Sequence, residues 1–572
     1  MQDQEQKEKR YKRIWKDLEM AYRKKSNVYQ DIRDLLAPGT GLFERTDNLE
    51  NDSIDYKKLL DAEPVTYLDT TVAGLYGGLI NPATRWFDIT VDKTNKNLRN
   101  LDFQTITENC ATTKEILYYL FAKTNFYSAM RNVLNEFVRY GFGVMLIEER
   151  DWDFIMFNPL TVGECYLGID ENGRHTKLAR KMLFTADKLV AEFGYDKCPE
   201  RVQECYNKGD YMKAFVVKHL ICENDKSGFV ADRFKYVDIY WIEGQGGFNI
   251  LRKSGFVSNP IAVFCWDRKN LRTIYPMGLG EKMLGDMKEL QHTVRCLAMN
   301  KSYLENPALA LHSSLGKKAL VPGARFYTDQ DPAKVAAEIF RVNSYIGELE
   351  DSRARILDKL NKMSYAQILM LFAQKDRATM TATETNAIVS EQMTLLAPIY
   401  LQAKEGLDAV FKRVLDICER RGLFEEAGFS AKDLKLEFVS SIAKAQRMAE
   451  VSSIQELVQY IAALAQIKPG ANDYINEDKI IIDVAERLGN AHFLRSEEEV
   501  AQIRQAQAEQ QQAMMDIQMQ AEQMKMMKDA AKAEIKQNNM LGQQVLQQGG
   551  TIPPDPKDEL ERQKAGLMPG GF

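Results

Sequence analysis

The sequence predicts an α+β protein that is mostly helical, and three observations lead there. Apolar residues recur at three- and four-residue steps before residue 40 and again from about 279 onward, the spacing that lines one face of a helix. Between Trp86 and Arg268 the texture changes to short apolar and β-branched runs set off by turn residues, which is how strands read. Beyond Ser496 the composition becomes rich in Gln, Met and Ala, unlike either preceding region.

The first element is an amphipathic helix in which Tyr11, Ile14, Trp15, Leu18, Tyr22, Tyr29, Ile32 and Leu36 share a face. Ala37-Pro38-Gly39 stops it, because proline disfavours helix at the residue before it. The Lys/Arg cluster between Lys7 and Lys25 is assigned to the solvated face of this helix, with DNA contact as the alternative. Trp86–Val91, Gly143–Ile147, Ala214–Val217, Tyr236–Trp241 and Ile261–Phe264 read as strands. Glu171-Asn172-Gly173 and Gly244–Gly247 separate strands as turns, and helices are interspersed around 111–140. Helix returns over about 279–304 and from about 344 to 372. A further long helical region covers 383–421 and contains Pro398, which a helix interior tolerates poorly. A strand over Leu434–Val439 precedes two or three helices up to Gly489. Ser496-Glu497-Glu498-Glu499 forms a capping box. The helix it opens runs to roughly Gln537, with glutamines and a lysine inside its heptad seam, which makes a weak coiled coil suited to lateral contact in a ring of parallel helices. The Gly/Pro-rich tail beyond Gly542 is expected to be disordered.

A chain of 572 residues, 45% hydrophobic and 27% charged, is long enough for a substantial core and more than one domain. Its net charge of -5 excludes a uniformly basic nucleic-acid-binding surface. Any DNA contact is therefore local, or lies in a channel that does not grip. No run of eighteen apolar residues is present, so no membrane span is expected. The opening MQDQEQKEKR lacks the apolar core of a secretory signal. The 8 cysteines are scattered singly, Cys198 and Cys205 being the nearest pair. They read as reduced, mostly buried thiols of a cytosolic product.

Catalytic patterns are missing. The chain has no Gly-x-x-x-x-Gly-Lys-Ser/Thr loop, and Gly74-Leu75-Tyr76-Gly77-Gly78 has neither the spacing nor the preceding strand of a dinucleotide fingerprint. Those glycines read as tight helix packing. His175, His219, His292, His312 and His492 form no His-x-x-x-His pair, so they are expected to be structural rather than metal ligands. The expectation is no enzyme, no cofactor and no metal.

Five stretches resemble the portal, or head-to-tail connector, family of short-tailed phages. The first is Asp61-Ala62-Glu63-Pro64 followed by Gly77–Pro82 and Arg85-Trp86-Phe87. The second is Tyr140-Gly141-Phe142-Gly143 entering the strand Val144–Ile147. The third is Tyr275–Gly280 followed by Leu284–Leu290, the fourth Met380–Glu384 followed by a helix carrying Glu391 and Pro398, and the fifth Val439–Gln446. They occur in the family's order over most of residues 10–500. One departure is that Thr379 stands where the family usually has a basic residue, with Arg377 two residues earlier.

The resemblance implies a portal fold: a β-containing wing, a helical stem, a clip, a channel loop, a helical crown and a C-terminal barrel helix. Mapped by motif, the N-terminal helix and wing are 1–276, the stem helices 277–304 and 344–366 with the clip at 305–343, and the channel (tunnel) loop 367–380. A wing helix and strand occupy 381–440, the crown 441–495, the barrel helix 496–545 and a disordered tail 546–572. The implied function is a ring, usually a homododecamer, at one capsid vertex of a podovirus-like virion. Double-stranded DNA passes through it non-specifically during viral genome packaging and ejection. Its implied partners are itself, the capsid protein, the terminase motor and the tail adaptor, without a membrane, in a virion assembled in the host cytoplasm. The DNA-channel candidates are Lys375 and Arg377 in the loop and Glu348, Asp351, Arg355, Asp358 and Lys362 on the second stem helix, the outer surface being the alternative place for that helical stripe. Those five lie opposite an apolar stripe of Ile346, Leu349, Ile356, Leu360 and Met363, which Arg353 interrupts. For Lys375 and Arg377 the alternative is pairing with a neighbouring subunit's acids. The clip candidates for docking are Lys317, Lys318, Arg325, Asp329 and Asp331. The competing readings are another virion structural protein, of tail or scaffold type, and more remotely an enzyme acting on DNA.

Overall fold

The computed structural model describes residues 2–43, 58–91, 103–151, 154–225, 230–244, 247–305, 309–311, 331, 336–338, 346–373, 382–424, 434–438, 451, 453–464, 476–488, 494–495 and 497–547. They fall into two compact units, Met1–Ala449 and Glu450–Phe572.

The first unit opens with helix α1 (Gln2–Leu36), which buries Tyr11, Trp15, Leu18, Tyr22, Tyr29, Ile32 and Leu36 along the face its spacing prescribes. Trp15 meets Tyr166 and Trp241 edge-on, and Tyr22 meets Tyr275 in the same way. The helix stops as expected: the Ala37 N–H donates back to the Ile32 carbonyl and Gly39 takes a φ of 80°. Helix α2 (Glu63–Leu79) follows, with Pro64 in its first turn, where no N–H is needed.

Strand β1 (Phe87–Val91) does not join the other strands of the region. It pairs antiparallel with a strand some 350 residues later, Phe87 lying opposite Phe438. Helices α3 (Phe103–Lys123) and α4 (Phe126–Tyr140) pack beneath it. Trp86, 1% exposed, lies parallel to the Phe126 and Phe438 rings and contacts Phe87 and Phe411. The Tyr118 hydroxyl fixes the strand edge by accepting from the Phe87 N–H and donating to its carbonyl.

Strand β2 (Phe142–Arg150) is the centre of a three-stranded antiparallel sheet, between β3 (Phe154–Leu160) and β9 (Ile261–Cys265). Its residues 142–147 are all buried, which explains their unbroken apolar run. Between β3 and β9 runs a five-stranded meander of β4 (Cys165–Ile169), β5 (His175–Thr185), β6 (Ala214–Glu223), β7 (Tyr236–Gly244) and β8 (Gly247–Phe256). Helices α5 (Ala186–Phe193) and α6 (Glu200–Asn207) cover one end of it with a small core of their own. Gly173, at φ 77°, makes the turn between β4 and β5.

Seven of the eight cysteines are buried and all are free; burial raises the Cys110 thiol to about 11. His175 is buried and pushed down to about 4 by desolvation. His219 is buried against Asp238 at 2.6 Å. In α4, Glu136 is buried and accepts from the Thr161 hydroxyl (2.8 Å) and the Val162 N–H (3.2 Å), fastening the end of β3 to the helix. Desolvation raises its carboxyl to about 7.

Helix α7 (Leu279–Glu305) matches its expected span. A short antiparallel pair, β10 (Leu309–Leu311) with β11 (Ala336–Glu338), is the described strand structure between residues 305 and 343. The helix expected over about 344–372 is two helices, α8 (Ile346–Met363) and α9 (Ala366–Ala373). Ser364 and Tyr365 break it: Tyr365 adopts φ 62°, the Ser364 hydroxyl accepts from the Ala366 N–H, and its carbonyl accepts from Thr71. A serine competing for backbone N–H groups is a known helix starter, and Ser364 opens a new helix although the helical pattern of the sequence continues past it. The stretch assigned to a loop from 367 is therefore helical as far as Ala373. Helix α10 (Ala382–Arg420) runs through Pro398, and β12 (Leu434–Phe438) closes the pair with β1. Gly74 packs against Leu369 and Gly78 against Tyr400, the tight packing expected of them, whereas Gly77 faces open space.

The second unit contains helices α11 (453–464), α12 (Glu477–Leu488) and α13 (Glu497–Gln547). Arg504 of α13 pairs with Asp478 of α12. The long Gln/Met-rich helix extends ten residues beyond its expected end at Gln537, and Met514, Met515, Ile517, Met524, Met526 and Met527 are exposed along it. Ser496 of the capping box and the tail from 548 lie outside the described residues.

Candidate functional site

Helix α7, which pairs with α8 inside the first unit, starts at a crossing of two backbones. Gly141 ends α4 in the left-handed region, at φ 91°, with its N–H on the Phe137 carbonyl. A β-carbon there would lie 2.5 Å from both the Gly278 nitrogen and the Pro276 oxygen. One on Gly278 would lie 2.3 Å from the Gly141 nitrogen, and one on Gly280 would lie 2.4 Å from the Arg139 oxygen. The Tyr140–Gly143 and Tyr275–Gly280 stretches are thus two sides of one contact that only glycine permits. The Gly141 carbonyl also accepts from Trp266 N–H at 2.7 Å. Arg139, 3% exposed, donates to the Leu36 carbonyl and reaches Asn135 and Asp69.

From this crossing α7 projects with Leu279, Met283, Met287 and Leu290 buried. Ion pairs fix its rotation against α1: Glu281 with Lys25 at 2.8 Å and Lys288 with Asp31 at 2.6 Å. Gln291 is a clamp. Its side-chain oxygen accepts from the Leu60 and Asp61 N–H groups, while its nitrogen donates to the Asp61 carbonyl.

Asp61 in turn ties in α8. One carboxylate oxygen accepts from the Glu63 N–H at the start of α2, and the other from Arg353 Nε at 2.8 Å. Glu63 receives Tyr67 and, at 3.3 Å, the second arm of Arg353. The hydrogen bond that Arg353 donates to Asp61 leads the effects that raise its guanidinium above the ordinary value. Arg353, read from sequence as an interruption of an apolar stripe, is the residue that anchors it. The Asp61-Ala62-Glu63-Pro64 stretch supplies its acids and a proline-started helix behind them.

Helices α7 and α8 run antiparallel, as two ion pairs demonstrate: Lys301 with Glu350 at 3.0 Å and Asp286 with Lys359 at 2.6 Å. The buried side of α8 is Ile356, Leu357 and Leu360, with Ile346, Leu349 and Met363 half-buried. Glu348, Asp351, Arg355, Asp358 and Lys362 are all exposed on its opposite side, and Lys362 pairs with Asp358 one turn back at 2.6 Å. Three carboxylates and two cations line that stripe, with no apolar member. Such a surface attracts counter-ions and water without holding a phosphate chain tightly.

Lys375 and Arg377 lie outside the described residues, as do Lys317, Lys318, Arg325 and Asp329; Asp331 is described and exposed. Among the described residues no group of three or more His, Cys, Asp or Glu is placed to hold a metal ion, and no helix is long and apolar enough to cross a membrane. Gln291, Ser364 and Tyr365 were not singled out from sequence. The serine carried a legible capping signal; the glutamine, one polar residue among several in a helical pattern, carried none.

A sequence profile of the family described as "Bacteriophage head to tail connecting protein" matches residues 8–492. A probable portal protein of Bordetella phage BPP-1 is 27% identical over 497 residues, covering 85% of this chain and 88% of the relative. The portal protein of Salmonella phage epsilon15 is 25% identical over 501 residues, covering 84% and 88%. Among solved structures, a chain from the neck of an empty GTA particle aligns at a TM-score of 0.31 and 10% identity, covering 74% of this chain and 94% of that one. A chain from the virion of a native gene transfer agent particle aligns at 0.29 and 10% with the same coverage.

Proposed function

The chain belongs to the bacteriophage head to tail connecting protein family, and from that premise we propose that it is a portal subunit forming a ring, of twelve copies, at one capsid vertex. DNA enters through the ring during packaging and leaves through it at ejection. The observation that carries this reading is the stem: two antiparallel helices anchored at one end by a glycine crossing and an Asp61–Arg353–Gln291 clamp, with a charged stripe left exposed along α8. In a closed ring a stripe shared by every copy becomes a continuous lining. A mixed lining suits transport, since a wholly basic one would bind each phosphate and stall sliding.

On this reading Lys375 and Arg377 form the loop that meets the DNA backbone. The segment 305–343 is the clip that docks first the terminase motor and then the tail adaptor, through Lys317, Lys318, Arg325, Asp329 and Asp331. Residues 1–276 and 381–440 form the wing, which the β1–β12 pairing supports by joining the two across the stem. Residues 441–495 are the crown. The Gln/Met-rich α13 lines up with its counterparts in a tube, a use that accounts for the exposed row Met514, Ile517 and Met524. The subunit is a structural component of the virion and acts without catalysis.

Negative-stain microscopy of the purified full-length chain, with the mass of the assembled particle, tests the proposal. Rings with a central hole and a mass of twelve subunits are expected; a monomer or an open filament at all concentrations, or nucleotide hydrolysis by the pure chain, would overturn it.

A further inference from the structure

The outward side of α1 carries a charged row that the proposed channel does not use. Lys9, Arg13, Lys16, Met20, Arg23 and Lys24 follow one another at steps of four, three, four, three and one residues, and all six are exposed. They lie opposite Tyr11, Trp15, Leu18 and Tyr22, whose burial fixes the rotation of the helix. Arg23 is met by Glu19 one turn back, and Asp17 flanks the row. Arg13, Lys16 and Lys24 have no acidic partner among the described residues.

We propose that this row is a docking face for duplex DNA lying outside any channel. From Lys9 to Lys24 the row spans about 22 Å at about 1.5 Å per residue. A duplex offers one negative charge per about 1.7 Å, so a row of this length meets phosphates in any register. The cations are preorganised, because the aromatic underside already holds the helix and binding orders only side chains. Met20 is the row's one apolar member. That is too little to anchor a protein partner, whose interfaces centre on buried aromatic or aliphatic residues, or to enter a bilayer surface. The contact reads no sequence, because phosphate contacts carry none. The source of the DNA, a genome packed against the flank of the subunit, rests on the connector reading; the binding itself does not.

A covalently closed circular duplex cannot thread a preformed ring, so it isolates this face from the channel. Binding of such a circle to the assembled full-length protein is measured at a series of salt concentrations, alongside the Arg13→Ala/Lys16→Ala/Lys24→Ala variant. Removing three phosphate contacts lowers the salt slope by up to about 2.7, so between about 50 and 200 mM salt the parent loses about 40-fold more affinity than the variant. Arg13→Lys, which keeps the charge, retains the parent's slope. The inference fails if the circle does not bind, if the triple variant keeps the parent's slope, or if the variant no longer assembles, which would make the row a contact between copies. Rings that never form would defeat the connector reading while leaving binding of the circle measurable.

Discussion

Replacing Gly278 and Gly285 by alanine, two glycines seven residues apart at the root of the same helix, is expected to have opposite effects. At Gly278 the new methyl group would lie 2.3 Å from the Gly141 nitrogen, 2.7 Å from the Tyr140 carbonyl carbon and 2.8 Å from the Arg139 oxygen. All three are backbone atoms and none can swing aside as a side-chain end would. The cost belongs at the upper end of overpacking, about 3 kcal/mol. At Gly285, inside α7 and exposed, a methyl group meets nothing within 4 Å, so alanine gains about 0.5–1 kcal/mol by restricting the unfolded chain. Because a chain of two units need not unfold in one step, local opening is the quantity to follow. Hydrogen exchange of the amides in 139–143 and 279–290 reports it directly. Gly278→Ala should speed that exchange about a hundredfold, and Gly285→Ala should slow it slightly. Equal exchange in Gly278→Ala and the parent would show that the two backbones do not touch there, and the account of the Tyr140–Gly143 and Tyr275–Gly280 stretches would be wrong.

Arg353→Ala leaves Asp61 and Glu63 without their shared cation. Local opening of α8 should become easier by about 1–2 kcal/mol, the range for a partly exposed charged hydrogen bond, read as faster exchange in 346–363 with that in α3 and α4 unchanged. Glu136 holds a proton in the folded chain up to about pH 7, against an ordinary value of 4.5. The folded state therefore binds more protons than the unfolded one across that window, and this group's contribution to stability falls as pH rises through it. Glu136→Gln should remove that slope, seen as melting temperatures at pH 5 and pH 8 that lie closer together than in the parent. Glu at both Lys317 and Lys318 should leave rings intact and abolish capture of the motor or the tail adaptor in pull-downs; unimpaired capture of both would remove this pair from the docking surface. Lys375→Ala with Arg377→Ala should assemble normally and retain less packaged DNA, without sequence preference, as nuclease-protected genome length would register. Full-length retention would take the loop out of the DNA path.

Local sequence determined the elements whose signals are local. The aromatic spacing of α1 and the unbroken apolar run of β2 set those elements and their buried sides, and the opposed stripes of α8 were readable from a 3.6-residue period. Gly74 and Gly78 signalled tight packing, whereas Gly141 and Gly278 stood out only as parts of stretches that resemble a family. What each glycine approaches was not readable, because Gly141 and Gly278 are separated by more than a hundred residues and meet only when α4 and α7 cross. The same holds for β1, whose partner β12 lies at the other end of the unit. Strand pairing is settled by where cores close, around Trp86 here, and not by propensity. Arg353 shows the limit most plainly. In a one-dimensional pattern a charge in an apolar stripe is a flaw, and only the arrival of Glu63 at the start of α2 and of Asp61 just before it supplies the acids that make it an anchor. Tertiary structure alone could decide this, since the free energy of a charge depends on which groups surround it, and those are set by the fold rather than by its neighbours in the chain.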